Sequence, residues 1–266
     1  MSELPRFRAL ILAGSRGSTD PVAASRGAAH KCLVRAGGLA MLARVLDTLA
    51  ATACIDGVTV SAARGTPFAG DVEVTRRLVG RRVRIVDAEA TPSRSVAAAL
   101  AAEPSSYPLL VTTADHPLLR PEMIEHFCRE AVASGADVAV GLTASRVLLA
   151  RYPDSRRTWL RFRDERYSGA NLFALMTPAA AAAVTFWRRV ESDRKRPWRI
   201  AGAFGWRALA DYLLGRLSLD EAMRHVATVI GCRVHAVPLP FAEAAIDVDK
   251  VDDLELVERI LAAGPR

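Results

Sequence analysis

The chain has 266 residues, 51% of them hydrophobic, and 36 basic against 29 acidic residues give a formal net charge of +7. The length suffices for a large core, and no apolar run reaches the roughly eighteen residues that cross a bilayer. The composition therefore indicates a soluble globular protein and excludes a membrane-spanning one.

The first residues, MSELPRFR, lack the apolar segment of a secretory signal, and the four cysteines occur without Cys-x-x-Cys spacing. We therefore expect a cytoplasmic protein with reduced thiols and no zinc site. The positive charge suits anionic ligands, but no nucleic-acid-binding motif accompanies it, so nucleic acid is not an expected partner.

A short apolar run at residues 9–12 precedes a glycine-containing loop. The run predicts a strand buried on both faces, and the loop glycines, Gly14 and Gly17, allow backbone N–H groups to approach an anion closely. Lys31 and Arg16 can add positive charge to the same anion. The stretch is a candidate triphosphate site, the alternative being an ordinary connection between strand and loop.

The loop fits neither G-x-G-x-x-G nor G-x-x-x-x-G-K-[ST]. It resembles the signature L-A-G-G-x-G-x-R, followed about ten residues later by P-K, of the MobA-like NTP transferases, which include guanylyltransferases and cytidylyltransferases. Ser15 replaces the second glycine, Thr19 the arginine and His30 the proline. The resemblance implies that the nucleotide is bound by Ala13, Gly14, Ser15, Arg16, Gly17 and Lys31.

The next elements alternate between helix and strand. Leucines and valines at helical spacing predict a helix over Gly38–Ala53, and strands are predicted at Gly57–Ala62 and Arg82–Val86. This order predicts an α/β, Rossmann-like fold whose mostly parallel central sheet is flanked by helices. The resemblance implies the same architecture, that of nucleotidyltransferases and GT-A enzymes, with a small helical or irregular excursion on the acceptor side.

The stretch Thr91–Leu100 begins with capping residues and continues as an alanine-rich helix. It resembles the R-x-x-S-V-x-x-x-L segment of cytidylyltransferases, although Arg94 is adjacent to the serine. The resemblance implies that Ser95 recognises the base, which favours CTP and leaves GTP as the second choice. As structure alone, the stretch is simply the start of a helix.

Asp115 follows a buried strand, in the sequence Asp115-His116-Pro117-Leu118. Ligands of wound sheets collect at the carboxyl ends of strands, and Mg²⁺ needs only one or two carboxylates beside substrate phosphates. The family's D-x-P-L motif matches here, which implies that Asp115 binds Mg²⁺. The resemblance also implies that Asp115, Lys31 and Arg16 are the catalytic residues. His116 is expected to be structural or exposed, and the alternative for Asp115 is a helix cap before Pro121.

From about Ser145 the chain becomes rich in arginine and irregular. The stretch Tyr167–Phe173 resembles the (T/S)-G-G-N segment that precedes a strand in many relatives, which implies that Gly169 and Asn171 bind the acceptor. The alternative is a turn before a strand. Basic residues and tryptophans follow at 186–219. We expect this segment to form a helical excursion that covers the acceptor pocket, and the alternative is docking on an anionic membrane surface.

The C-terminal stretch Ala245–Leu254 resembles the family's D-[VI]-D-T-P-[ED]-D-L tail. This implies that Asp249, with Asp247 as a further candidate, is the second carboxylate on the metal, while Asp252 and Asp253 stabilise the N-terminus of the closing helix. We predict one nucleotidyltransferase domain over 1–266. Its parts are a nucleotide-binding part at 1–144, an acceptor-binding part at 145–244 with the insertion 186–219, and a metal-binding tail at 245–266.

The resemblance implies transfer of a nucleoside monophosphate, with CMP favoured, from an NTP to a phosphorylated small-molecule acceptor with release of pyrophosphate. A phosphate monoester is largely deprotonated at neutral pH, so no side chain has to act as a general base and remove a proton from the acceptor. Two other hypotheses remain. One is a GT-A-type glycosyltransferase using Asp247-x-Asp249, and the other is a nucleotide-binding module that has lost its chemistry through the changes at Ser15 and Thr19.

Overall fold

A mostly parallel sheet forms the centre of the protein, whose computed structural model describes residues 4–14, 20–193 and 205–264. In spatial order its main strands are β10, β7, β9, β6, β1, β4 and β5, and β8 pairs with β9. The strands of the sheet are β1 (Phe7–Ala13), β4 (Ile55–Ala62), β5 (Arg84–Asp87), β6 (Leu109–Thr113), β7 (Val138–Ala144), β8 (Leu160–Arg161), β9 (Arg166–Leu175) and β10 (Val234–Pro238); β2 (Arg35–Ala36) and β3 (Leu39–Ala40) form a separate hairpin.

Helices cover both faces of the sheet, as the fold class predicted. The helices within the described residues are α1 (Pro21–Ser25), α2 (Met41–Ala51), α3 (Val72–Gly80), α4 (Pro92–Ala102), α5 (Pro121–Ser134), α6 (Ser145–Arg151), α7 (Ala181–Asp193), α8 (Trp206–Leu213), α9 (Leu219–Ile230) and α10 (Val251–Ala263). On β1, Ile11 packs in the cluster that contains α2 and α5, whereas Leu10 packs in the cluster that contains α4. Both residues are fully buried, which confirms the strand buried on two faces.

Strand β9 departs from the sequence prediction. Tyr167–Phe173 was expected to precede a strand, but it lies within β9, which runs antiparallel between β6 and β7. Val140 pairs with Phe173 and Leu142 pairs with Gly169, so β9 bulges opposite Gly141. The prediction was wrong because residues 167–169 and Phe173 pair with β7, which keeps this glycine-containing stretch in the sheet.

The basic segment after β9 is described only in part. Helix α7 begins at Ala181, earlier than the predicted insertion at 186–219, and residues 194–204 lie outside the described ranges. No helix within those ranges is long and apolar enough to span a bilayer. Membrane docking through this segment, and the division of the chain at residue 144, stay predictions.

Gly141 leaves no room for a side chain where β7 passes the bulge. A Cβ there would lie 3.2 Å from Leu172 Cβ and 3.3 Å from Leu239 Cδ1. We expect Gly141→Val to lower the free energy of unfolding by about 1–3 kcal/mol through overpacking, as measured by urea denaturation. Gly80→Ala is the control, because nothing lies within 4 Å of its added Cβ. Equal stability of the two variants would contradict this packing.

Candidate active site

The carboxyl ends of β1 and β6 lie side by side. Ala114 N donates a hydrogen bond to Leu12 O at 3.0 Å, so Asp115 leaves the sheet next to Ala13 and Gly14. Ala13 is buried and Gly14 is exposed. The remainder of the predicted phosphate loop, Ser15, Arg16, Gly17, Ser18 and Thr19, lies outside the described residues, and its role stays a prediction.

Lys31 joins the acids that the sequence proposed as metal ligands. Its Nζ donates to Asp115 Oδ2 at 2.6 Å and to Asp249 Oδ1 at 3.2 Å. A short 3₁₀ turn carries Lys31, and His30 caps this turn by accepting a hydrogen bond from Cys32 N at 3.3 Å. The structure therefore places three predicted site residues, distant in the sequence, within contact of one another.

Two opposing effects set the pKa of Lys31. Burial lowers this pKa, but the charges and hydrogen bonds of Asp115 and Asp249 outweigh burial and raise it above its ordinary value. The side chain is only 16% exposed. Lys31 is therefore a protonated cation held in a partly buried site, and it is not available as a base.

The acidic turn, residues 247–253, holds Asp249 beside this lysine. Val248 N donates to Asp115 O at 2.9 Å, which fixes the turn against the end of β6. Asp253 Oδ2 accepts hydrogen bonds from Asp249 N at 3.1 Å and Lys250 N at 2.9 Å. The expectation that Asp253 stabilises the start of the closing helix agrees with these contacts.

Asp115 and Asp249 have the properties that a small divalent cation requires. Asp115 Oδ1 is buried and accepts no hydrogen bond from the described residues, and the Asp249 side chain is 67% exposed. Both carboxylates contact one ammonium, so one cation can reach both, and carboxylate oxygens suit Mg²⁺. No group of three His, Cys, Asp or Glu side chains in the described ranges could hold a metal, so the rest of the coordination sphere would come from substrate and water.

The Asp247 carboxylate contacts Arg157 and Asn171. Its Oδ1 accepts from Arg157 Nη1 at 2.9 Å and its Oδ2 from Asn171 Nδ2 at 2.8 Å. Burial, followed by the charges of Asp115 and Asp249, raises the pKa of Asp247 to about 6. Because protein groups already occupy both oxygens, the structure favours Asp249 over Asp247 as the second metal ligand.

The raised pKa of Asp247 predicts a pH effect on stability. The pKa of Asp247 is about 6 in the folded state and has its ordinary value of 3.8 in the unfolded state. At pH values between these two, the folded state therefore binds more of this proton than the unfolded state does. The resulting stabilisation is complete below the lower value and is lost as the pH rises through the higher one. We expect Asp247→Asn, which stays neutral, to gain stability relative to the unmodified protein over this rise, as measured by urea unfolding in EDTA. A stability difference that is constant with pH would contradict the prediction.

The predicted acceptor residues, Gly169 and Asn171, line a cleft whose wall also includes Asp249. This cleft has a volume of about 800 Å³ and is formed by residues from the segments 151–160, 168–171 and 247–259. Gly169 is exposed at its wall, and Asn171 adopts a φ of 49° within the bulge of β9. The left-handed backbone at Asn171 turns its amide group towards Asp247.

Ser95 and His116 occupy buried positions. Ser95 Oγ accepts a hydrogen bond from Glu89 N at 2.9 Å, so the hydroxyl hydrogen is the group that remains to contact a base. Burial lowers the pKa of His116 to about 4, and its Nε2 lies 3.3 Å from Glu243 O. His116 is a neutral structural residue, whereas base recognition by Ser95 stays a prediction.

Sequence reasoning did not identify Arg157. This arginine is 7% exposed on its side chain and contacts both Asp247 and Asp253. It belongs to no motif, and several other arginines surround it in the sequence. No sequence signal distinguishes it from those neighbours.

Comparison with solved structures finds proteins that share the fold of this chain over nearly its whole length. A hypothetical transferase structure from Thermus thermophilus is 28% identical with a TM-score of 0.77, over 94% of this chain and 99% of that one. A 4-diphosphocytidyl-2C-methyl-D-erythritol synthase from Anaerococcus prevotii is 14% identical with a TM-score of 0.59, over 97% and 99%.

A CMP:2-keto-3-deoxy-manno-octonic acid synthetase complexed with CTP is also 14% identical, with a TM-score of 0.55 over 98% of this chain and 100% of that one. At this identity the last two similarities establish the fold alone. A search of curated protein sequences finds no match. Residues 9–227 match the MobA-like NTP transferase domain, and the chain belongs to that family.

Proposed function

We propose that this protein is a Mg²⁺-dependent nucleotidyltransferase that transfers a nucleoside monophosphate, with CMP favoured, from an NTP to a phosphorylated small molecule. The observation that carries the proposal is the contact of Lys31 Nζ with both Asp115 and Asp249, close to Ala13 and Gly14 at the end of β1. This cluster puts a fixed cation and two potential metal ligands where the family's nucleotide loop begins.

The chemistry follows from the charges. A phosphate oxygen of the acceptor attacks the α-phosphorus, and the bond from this phosphorus to the leaving pyrophosphate breaks as the new bond forms. Because the acceptor phosphate is largely deprotonated near neutral pH, the protein does not need to supply a base. Lys31, which is held protonated, offsets negative charge on the leaving group.

Mg²⁺, held by Asp115 and Asp249, would supply further neutralisation of the triphosphate. Asp115 Oδ1 lacks a partner among the described residues and offers one ligand atom, and the exposed Asp249 carboxylate offers another. The acidic turn orients the second carboxylate through its hydrogen bonds to Asp253. The protein's contribution is thus to hold two anionic substrates in position and to reduce their repulsion.

Two observations support the choice of CTP, and a third supports the acceptor site. Ser95 matches the serine of the cytidylyltransferase segment, and the similar synthetase was solved with CTP. The cleft of about 800 Å³, whose wall includes Asp249, has the size of a small-molecule site. GTP remains the second candidate, because guanylyltransferases share the same loop.

A substrate panel tests this function. Each of the four NTPs is incubated with sugar, polyol or alcohol phosphates and Mg²⁺, and pyrophosphate release is measured. We expect release only when NTP, acceptor and Mg²⁺ are all present, with the highest rate for CTP. Binding of an NTP without pyrophosphate from any pair would identify a nucleotide-binding module and refute the proposal.

A further inference from the structure

Arg157 is a buried cation between the cleft and the acidic turn. It lies on the irregular segment between α6 and β8 and lines the cleft, yet its side chain is only 7% exposed. A guanidinium removed from water to this extent requires anionic or hydrogen-bonding partners. Its partners therefore indicate which part of the site it serves.

Arg157 contacts both ends of the acidic turn. Its Nη1 donates to Asp247 O at 3.1 Å and to Asp247 Oδ1 at 2.9 Å. Its Nη2 lies 3.0 Å from Asp253 Oδ1, an ion pair whose orientation does not make a hydrogen bond. One side chain thus joins the first and last residues of the turn that carries Asp249.

Each end of the acidic turn makes further contacts that hold the turn in place. At the first end, Asn171 holds the other oxygen of Asp247 and so ties the turn to β9. At the last end, the Asp253 carboxylate that faces Arg157 also accepts the N–H groups of Asp249 and Lys250. A continuous series of contacts therefore runs from Arg157 through Asp253 to the backbone of Asp249.

Charge gives Arg157 a second effect. Asp115, Asp247 and Asp249 gather around the site, and like charges at short range repel one another strongly when partly buried. Lys31 forms ion pairs with Asp115 and Asp249, while Arg157 forms ion pairs with Asp247 and Asp253. Removing Arg157 would leave Asp247 without an ion-pair partner among the described residues, which would increase the repulsion between the carboxylates of the site.

We propose that Arg157 is a positioning residue, which clamps Asp247 to Asp253 and thereby holds the Asp249 carboxylate against Lys31 and Asp115. Its catalytic consequence rests on the proposed function, because a correctly placed Asp249 matters for turnover only if it binds the metal of an NTP complex. The clamp itself is a property of the free protein. It can be measured without turnover.

Amide hydrogen exchange by mass spectrometry measures the clamp directly. In Arg157→Met, we expect exchange in peptides covering 246–253 to rise by about tenfold or more, while exchange in β7 stays unchanged. Mn²⁺ affinity of the free protein, measured by calorimetry, is expected to fall by about tenfold, as for other residues that orient metal ligands. Arg157→Lys keeps the charge but not the forked contact, and should restore part of both properties.

Arg163→Met is the matched control, because Arg163 is 58% exposed and lies outside the cleft. It should leave exchange and Mn²⁺ affinity unchanged. Unaltered exchange at 246–253 in Arg157→Met, or a rise that merely parallels β7, would overturn the proposal. If the unmodified protein released no pyrophosphate, the proposed function would fail, whereas the exchange result would still decide the role of Arg157.

Discussion

Replacing Lys31 by methionine is expected to lower kcat for pyrophosphate release by about a hundredfold or more, with a smaller effect on the KM for NTP. Methionine preserves much of the length and apolar volume of lysine but removes the charge, which in this site faces two carboxylates at 2.6 and 3.2 Å. The loss should appear mainly in kcat, because charge on the leaving pyrophosphate grows in the transition state. Steady-state assays at saturating Mg²⁺ measure it.

Two further variants separate this role from general effects of charge. Lys31→Arg keeps the charge and is expected to retain part of the activity. Arg64→Met removes an 87% exposed surface cation and should have unchanged kinetics. An unchanged kcat for Lys31→Met would contradict the assignment of Lys31.

Asp115→Asn is expected to weaken Mn²⁺ binding by about 10- to 100-fold and to lower kcat to a similar or greater extent. The substitution keeps the shape of the side chain and leaves the main-chain oxygen that accepts from Val248 N. Asp249→Asn should have a smaller effect, because Asp249 is 67% exposed whereas Asp115 is 20% exposed. Calorimetric Mn²⁺ titration together with pyrophosphate assays measures both changes.

Asp87→Asn is the control for this second prediction, since Asp87 is 58% exposed and pairs only with Arg64 among the described ion pairs. It should bind Mn²⁺ as the unmodified protein does. Full Mn²⁺ affinity in Asp115→Asn would remove Asp115 from the metal site.

Much of the fold could be predicted because local sequence patterns, such as apolar runs and capping residues, determine many of its strands and helices. The apolar run of β1 has no polar alternation, and this directly signals a strand covered on both faces. Capping residues indicated the start of α4 in the sequence. The meeting of Lys31, Asp115 and Asp249 was expected from the family motifs that contain them, because the resemblance implies that these motifs form one site.

The position of β9 could not be predicted in the same way. Sequence order does not say which strands become neighbours, and β9 enters antiparallel between β6 and β7. Its bulge depends on Gly141 of β7 and on a positive φ at Asn171, which is not a glycine. A short polar stretch of this kind equally suggests a turn.

Arg157 shows a second limit of sequence reasoning. Arg151, Arg156 and Arg161 are close by in the sequence, and all three are exposed in the structure. The side chain of Arg157, in contrast, is only 7% exposed. No helical or strand periodicity connects these positions, so nothing in their spacing selects one. Only the fold, which brings the 151–158 segment against the acidic turn, identifies the arginine with two acidic partners.

The most direct test is a crystal structure of the protein with Mn²⁺ and a non-hydrolysable CTP analogue, with the metal located by its anomalous scattering. We predict a single metal peak in contact with Asp115, Asp249 and the triphosphate, with Lys31 Nζ on a phosphate oxygen. A nucleotide bound elsewhere, or a metal that touches neither carboxylate, would contradict the central claim that these three side chains form one polyphosphate site.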